Sequence, residues 1–271
     1  MRDELDVALD AARIGTDVVH SFEQKNFDYH YKGVNDLVTD ADVATQEAVV
    51  EVIREHFPDD YILAEESEDE HKLPTGRAWI IDPIDGTTNF AYGFPVYCVS
   101  VGFWADGEPE AAAVIEVNRN EEFTARRDGG AWLNGRVIRV SEKEDPDKAL
   151  IGTGFPYNDH SMIEEYYNLF RTLSGEVQGI RRPGSAAYDL CCVAAGRFQG
   201  FYEYALKAWD VAAAGLIVKE AGGVVTDWER GDEWLTGERI VAGNSGIHDY
   251  LLRRIHNTIS APHCSSIRDP G

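Results

Sequence analysis

Apolar and polar positions follow two different periods along this chain. Over residues 4–22 the apolar side chains Leu5, Ala8, Ala11, Ala12, Val18, Val19 and Phe22, with Gly15 on the same stripe, recur at helical spacing and predict an amphipathic helix. Residues 25–36 are polar, contain Gly33 and read as a loop or irregular hairpin. A second helix is expected to begin at Asp40 or Asp42 and run through His56, with Val43, Val49, Val50 and Ile53 facing inwards. The period then shortens. After a Pro58-Asp59-Asp60 turn, residues 61–64 form a short strand ending at Glu65, and an acidic loop occupies 66–75. The unbroken apolar run Ala78-Trp79-Ile80-Ile81 predicts a buried strand that delivers Asp82 to its end.

Further strand-like runs lie at 96–104, 111–117, 122–125 and 131–140, broken by Gly107, by residues 118–120, by Asp128-Gly129-Gly130 and by Asn134-Gly135. The Asn-Gly pair is a strong hairpin signal. Residues 142–147, with Pro146, are the best internal boundary. Beyond them strand and helix alternate: strand 149–153, helix 160–173, strand 178–182, helix 185–196, strand 198–203, helix 210–221 and strand 223–227. A final helix is expected over 247–259. The division expected is an N-terminal α+β half (1–144) carrying the metal-binding motifs, a C-terminal α/β half (145–259) and a flexible tail (260–271), the halves forming one compact unit.

Composition narrows the class. The chain has 271 residues, 44% of them hydrophobic, which suits a folded globular protein of one large or two fused domains. No apolar run approaches the roughly 20 residues that span a bilayer. The acidic, amphipathic start is unlike a signal peptide, so a cytoplasmic location is expected. A net charge of −23, from 48 acidic against 25 basic residues, repels nucleic acid and anionic membranes. A salt-rich cytoplasm would screen that self-repulsion, so a halophilic source is the favoured expectation, with an acidic mesophilic protein as the alternative. Cys98, Cys191, Cys192 and Cys264 show no C-x-x-C spacing and the His residues form no HExxH-type pair. Both facts argue against zinc and for a reducing compartment.

Residues 79–90, WIIDPIDGTTNF, carry the most chemistry. Pro83 disfavours the helical region at Asp82 and keeps the chain extended. Asp85 follows, and Gly86-Thr87-Thr88-Asn89 supplies a turn that can open a helix. Two carboxylates thus meet at a strand mouth beside backbone N–H groups. The carboxylates suit hard divalent cations, and the N–H groups suit a phosphate bridged by them. D-P-x-D-G is also ordinary turn chemistry, so the motif alone does not decide. Glu65-Glu66 adds a carboxylate pair that costs repulsion unless a cation or solvent relieves it. Trp209-Asp210 opens a helix, where Asp210 is either a ligand or an N-cap, and Gly184-Ser185-Ala186 opens another with an anion-binding N-terminus. Asp42 has the same ambiguity as a cap, Glu66 reads as a solvated or outlying carboxylate, and Asp36 as a loop hydrogen-bonding residue. Trp79 and Trp209 read as core, Trp228 and Trp234 as structural or interfacial.

Glu65-Glu66, the Asp82–Phe90 segment and Trp209-Asp210-Val211-Ala212-Ala213-Ala214 together resemble the inositol monophosphatase family of lithium-sensitive, magnesium-dependent phosphatases, which includes fructose-1,6-bisphosphatases. The resemblance runs from about Leu5 to Tyr250, with further matches at Asp36-Leu37-Val38-Thr39, Trp132-Leu133-Asn134-Gly135 and Gly184-Ser185-Ala186-Ala187. It implies a layered α-β-α-β-α sandwich of mixed α+β and α/β character, and two to three Mg2+ per site. Asp82 would bridge two ions, with Glu65 and the Ile84 carbonyl completing the first site, Asp85 and Asp210 the second, and Glu65 supporting a third. Thr87, bonded towards Asp42 and close to Glu65, would orient the attacking water for in-line displacement at phosphorus. The N–H groups of Gly86 and Thr87 would hold phosphate oxygens, with Asp85 also touching substrate.

Glu203 matches the family position that binds substrate hydroxyls, and Gly184, Ser185 and Ala186 would line the same pocket. Arg181 or Arg182 either reaches a second phosphate or balances local acids. Lys32 is the one candidate for the family's loop lysine, and the spacing there departs too far to assign it a role. The resemblance therefore implies a small phosphorylated polyol or sugar as partner: inositol 1-phosphate, fructose 1,6-bisphosphate, or both. The same motif serves relatives acting on 3′-phosphorylated nucleotides or histidinol phosphate. An adenosine-type substrate would call for an aromatic or apolar clamp, which the sequence does not locate. A homodimer is expected by analogy, with no nucleic acid and no membrane. The remote alternative is a non-catalytic metal-dependent regulator, whose signature would be loss of a ligand, of Thr87 or of Glu65.

Overall fold

The computed structural model describes residues 2–23, 29–33, 36–67, 75–157 and 159–259, with backbone alone for 29–33 and 36–38. The tail expected at 260–271, most of the acidic loop and the side chains of Lys32 and Asp36 lie outside the described residues. Helices α1 (Glu4–Glu23) and α2 (Asp40–His56) form where predicted and flank in sequence a two-stranded ribbon, β1 (Tyr29–Gly33) and β2 (Asp36–Thr39). Strands β3 (Tyr61–Ala64), β4 (Arg77–Asp85), β5 (Cys98–Ala105), β6 (Glu108–Glu116), β7 (Glu121–Arg126), β8 (Gly130–Leu133) and β9 (Arg136–Val137) form one sheet in sequence order, with a short α3 (Thr87–Ala91) after β4. Only β3 and β4 pair in parallel; the others run antiparallel.

The second sheet has the order β11-β10-β12-β14-β13, from β10 (Leu150–Thr153), β11 (Gly179–Arg181), β12 (Gly200–Tyr204), β13 (Val224–Thr226) and β14 (Arg239–Gly243). Helices α4 (Ile163–Glu176), α5 (Ala186–Ala194), α6 (Ala208–Glu220) and α7 (Ser245–Thr258) complete the set. Layering follows from which faces are apolar. On the first sheet Trp79, Ile81, Val99, Val101, Ala113 and Ile115 face α1 and α2, whereas Ile80, Cys98, Ala112 and Val114 face α5 and α6. Both faces are covered, which is why these strands read as nearly continuous apolar runs. The second sheet packs α5 on one side and α4 with α7 on the other, giving five layers in the order α-β-α-β-α. Among the described residues no helix is long and apolar enough to cross a membrane.

Three local expectations need correction. Val43 is 43% exposed, because the cap at Thr39 sets a phase in which Ala41, Asp42, Thr45, Val49 and Ile53 face inwards. Polar residues on that inner face hide the true stripe. The run expected at 131–140 breaks into β8 and β9 at Asn134-Gly135, both in the left-handed region with φ of 49° and 72°. Strand β14 was not expected at all. Its apolar stretch is too short to show a period, yet it lies inside the second sheet between β12 and β13. All four tryptophans named above are buried, Trp79 with its Nε1–H donating to Asp60 Oδ2 at 2.9 Å.

Candidate active site

Strand β4 runs four residues further than its apolar core Ala78–Ile81, through Pro83 to Asp85. On a regular strand Asp82 and Asp85 would point to opposite faces. The pairing with β5 slips between them, with Asp82 opposite Ser100 and Asp85 opposite Cys98. This irregularity, at a proline that has no N–H to donate, turns both carboxylates to one side. Oxygens of Asp82, Asp85 and Asp210 consequently lie within 4.8 Å of one another. Gly86 follows with φ of 102°, and a Cβ there would sit 3.0 Å from the Val96 carbonyl oxygen and 3.2 Å from that of Gly184. Only glycine accepts both the conformation and the close approach. The chain can then enter α3 with Thr87 facing back at the site.

The acids that could be either caps or functional residues both cap, and both also face the cluster. Asp42 Oδ2 accepts from the Thr39 N–H at 2.8 Å and the Thr39 hydroxyl at 2.6 Å, closing the capping box of α2. Its other oxygen accepts the Thr87 hydroxyl at 3.0 Å. Asp210 Oδ2 accepts the Lys207 N–H at 2.6 Å at the start of α6. Asp85 accepts from the Ser185 hydroxyl at 2.7 Å and from the N–H groups of Ala186 and Ala187 at 3.3 and 2.6 Å, at the start of α5. Three helix N-termini thus aim their partial positive charge at one cluster of acids and offset part of its repulsion. This revises the reading of Gly184-Ser185-Ala186: the anion held at that N-terminus is the carboxylate of Asp85.

Asp82 is only 1% exposed, and its Oδ1 has no protein hydrogen-bond partner. Burial pushes its carboxyl well above the usual range, and the charges of Glu65, Asp85 and Asp210 add to that. Burial likewise raises Asp85, against the three donors from α5. It pushes Asp42 up to about 6 and Asp210 up to about 7. An all-oxygen donor set with an orphaned buried oxygen fits a hard divalent cation such as Mg2+.

One consequence is measurable. An acid whose pKa is higher folded than unfolded holds its proton longer in the native state, so stability is lost as pH rises towards the folded value. The metal-free protein should melt several degrees lower at pH 7.5 than at pH 5, and saturating Mg2+ should remove most of that slope. A melting temperature that is flat across this window without metal would contradict the account of an uncompensated cluster.

A cavity of about 460 Å3 opens from the cluster. Glu65, Asp82, Ile84, Asp85, Gly86, Thr87 and Asp210 line one end, together with Gly184, Ser185 and Ala186. Glu203 lines the same cavity, as do Gly154, Phe155, Tyr157, Arg182 and Asp189. Arg181 does not line the cavity; its guanidinium turns back to the Ile180 carbonyl oxygen, and Arg182 takes the place expected of it. Arg182 Nη2 donates to the Tyr157 hydroxyl at 2.7 Å. Glu66 lies outside the cavity, its N–H donating to Gln46 Oε1 at 2.8 Å and its charge acting on Asp42. The aromatic groups not located from the sequence are Phe155 and Tyr157. Asp189 was also missed. Its signal is a lone charge within the otherwise apolar A-A-Y-D-L-C-C-V-A of α5.

A five-layered α-β-α-β-α sandwich with acids converging on a cavity between its sheets defines a class of phosphatase folds. The chain belongs to one family within it: the model described as the inositol monophosphatase family matches residues 1–260. The Nus factor SuhB of Pseudomonas aeruginosa is 41% identical over 261 residues, covering 94% of this chain and 96% of that protein. Among solved structures, the extragenic suppressor protein suhB from Bartonella henselae superposes with a TM-score of 0.89 at 36% identity, covering 94% of this chain and 98% of the other. An inositol monophosphatase from Anabaena gives 0.85 at 37% identity, covering 94% and 95%.

Proposed function

We propose that this chain is a Mg2+-dependent phosphomonoesterase that hydrolyses inositol 1-phosphate, fructose 1,6-bisphosphate or both. The observation that carries the reading is the buried, partnerless Oδ1 of Asp82 at the centre of carboxylates held by three helix N-termini. Glu65, Asp82 and the Ile84 carbonyl would hold one ion, and Asp82, Asp85 and Asp210 a second, with Glu65 supporting a third. Bound there, divalent cations supply Lewis-acid charge that lowers the pKa of water and neutralises charge on the phosphoryl oxygens and the leaving group.

The chain's own residues do the rest. Thr87 has one hydroxyl proton and two acceptors, Asp42 Oδ1 and the Ile84 carbonyl oxygen, each at 3.0 Å. Donating that hydrogen bond leaves its lone pairs to accept a hydrogen bond from the attacking water, beside Glu65. The N–H groups of Gly86 and Thr87 would orient phosphate oxygens in advance of the reaction. Glu203 would accept hydroxyl protons of a polyol leaving group, with Gly184, Ser185 and Ala186 walling the cavity. Arg182, rather than Arg181, would meet a second phosphate, because it is the one that lines the cavity. This reading carries with it a cytoplasmic homodimer that binds neither nucleic acid nor membrane, from a salt-rich source.

The name Nus factor borne by bacterial relatives favours a second reading, a regulatory role without turnover. Phosphate release separates the two. Inositol 1-phosphate, fructose 1,6-bisphosphate, histidinol phosphate and adenosine 3′,5′-bisphosphate would each be tested with and without Mg2+, at low and molar KCl. Mg2+-dependent release from the first two is expected. Release from the nucleotide alone would overturn the role of Glu203. Mg2+ binding without release from any of them would favour the regulatory reading.

A further inference from the structure

The cavity is also lined by a buried acid, Asp189, that the phosphatase reading does not use. Asp189 sits in the first turn of α5, a helix whose nine residues are all buried and, this one apart, uncharged. An ionised carboxylate in such a place costs several kcal/mol unless a partner compensates it. Capping does not explain it, because the N–H groups of Ala186 and Ala187 are already taken by Asp85. Asp189 is 1% exposed, its Oδ1 has no protein partner, and it lines the cavity that Glu203 also lines.

Glu203 is itself closely seated. A Cβ at Gly154 would come within 1.9 Å of its Oε1 and 2.3 Å of its carboxyl carbon, so the carboxylate lies flat on bare backbone. The cation facing these two acids is Arg182, which acts electrostatically on both and is braced by the Tyr157 hydroxyl.

Resting on the phosphatase reading above, we propose that Asp189 is a second hydroxyl-accepting carboxylate of the leaving-group pocket, so that Asp189, Glu203 and Arg182 together select a polyhydroxylated leaving group. Carboxylates only accept hydrogen bonds when ionised and a guanidinium only donates. A hydroxyl does both, so adjacent hydroxyls can donate to the two acids and accept from Arg182. An ammonium group would satisfy the acids and be repelled by Arg182. A leaving group without hydroxyls would leave the buried acids unpaired, the circumstance in which polar pockets discriminate most strongly.

Asp189→Leu, which keeps the branched four-atom shape and removes the charge, tests this beside the isosteric Asp189→Asn. Kinetics would be read on inositol 1-phosphate and on p-nitrophenyl phosphate, whose leaving group carries no alcohol hydroxyl. Asp189→Leu is expected to lower kcat/KM for inositol 1-phosphate about ten- to a hundredfold. The loss should fall mainly in KM, with p-nitrophenyl phosphate changed less than about threefold. Asp189→Asn, which retains one acceptor oxygen, should fall between, and it decides alone if the leucine variant does not fold. Equal losses on both substrates, or none on the polyol, would overturn the proposal.

Thermal shift by inositol 1-phosphate, which needs no turnover, separates the two readings. A wild type that is stabilised but inactive, beside an Asp189→Leu variant that is not stabilised, would sink the phosphatase reading and keep this one. An active wild type whose variants match it in both assays would do the reverse. No shift and no activity in the wild type would overturn both.

Discussion

Asp82→Asn is expected to raise the melting temperature of the metal-free protein while lowering Mg2+-dependent phosphate release by at least about a thousandfold. The stability gain follows from what surrounds the side chain. Its carboxyl is buried, and its charge is opposed first by burial and then by Glu65, Asp85 and Asp210. Asparagine keeps the shape and removes the charge. The uncompensated amide still costs about 1–3 kcal/mol, so the net gain is a few degrees. The loss of turnover has the opposite origin, because the charge that destabilises the metal-free fold is the one that would hold the cations. A contribution of several kcal/mol from metal-ion catalysis corresponds to three or more decades in rate. Wild-type protein should also gain about 2.7 kcal/mol at a hundredfold excess of Mg2+ over its Kd, and the variant little or none. Calorimetry with and without Mg2+, paired with phosphate release, checks both halves. A variant that is less stable without metal and still active would make Asp82 a structural residue.

For Thr87→Ala the expected loss lies in turnover, about a hundred- to a thousandfold in kcat, with KM changed only a few-fold. The hydroxyl is held at one end by α3 and at the other by Asp42, which Thr39 fixes through two hydrogen bonds. On the proposed reading such a group would direct water rather than contact the substrate in the ground state. Its removal should cost folding only about 1 kcal/mol, the ordinary worth of one hydrogen bond. Thr87→Ser, which keeps the hydroxyl, should recover most of the turnover. Steady-state kinetics on the three proteins is the check. A change confined to KM would assign Thr87 to binding and remove it from the reaction.

Both expectations rest on residues that three helices share with the site. Asp42 and Asp210 each use one oxygen to close a helix start, and Asp85 spends its hydrogen-bonding capacity on the start of α5. The positive ends of α2, α5 and α6 are therefore fixed by acids that belong to the cluster or adjoin it. Weakening any of these caps should loosen the site together with its helix, which makes conservative, charge-specific substitutions more informative here than truncations.

Much of this was legible along the chain. Helix α1, strand β4 and the Asn134-Gly135 turn follow from period and turn chemistry, both of which are local. Glu65, Asp82, Asp85, Thr87 and Asp210 were identifiable because each sits at the end of a readable element in a recognisable motif. Val43 and β14 were misjudged for local reasons too, a polar inner face in one case and a run too short to have a period in the other. The slip in β4 that turns Asp82 and Asp85 to one side, the choice of Arg182 over Arg181 and the seating of Glu203 on Gly154 belong to the tertiary structure alone. Asp189 lies between these cases, since its charge inside an apolar helix is visible in the sequence and its use is not. Periodicity and turn preference are set by neighbours within a few residues. Which carboxylate caps a helix, which one is left unpaired and which arginine enters a cavity depend on groups up to a hundred residues apart, such as Asp85 and Ser185.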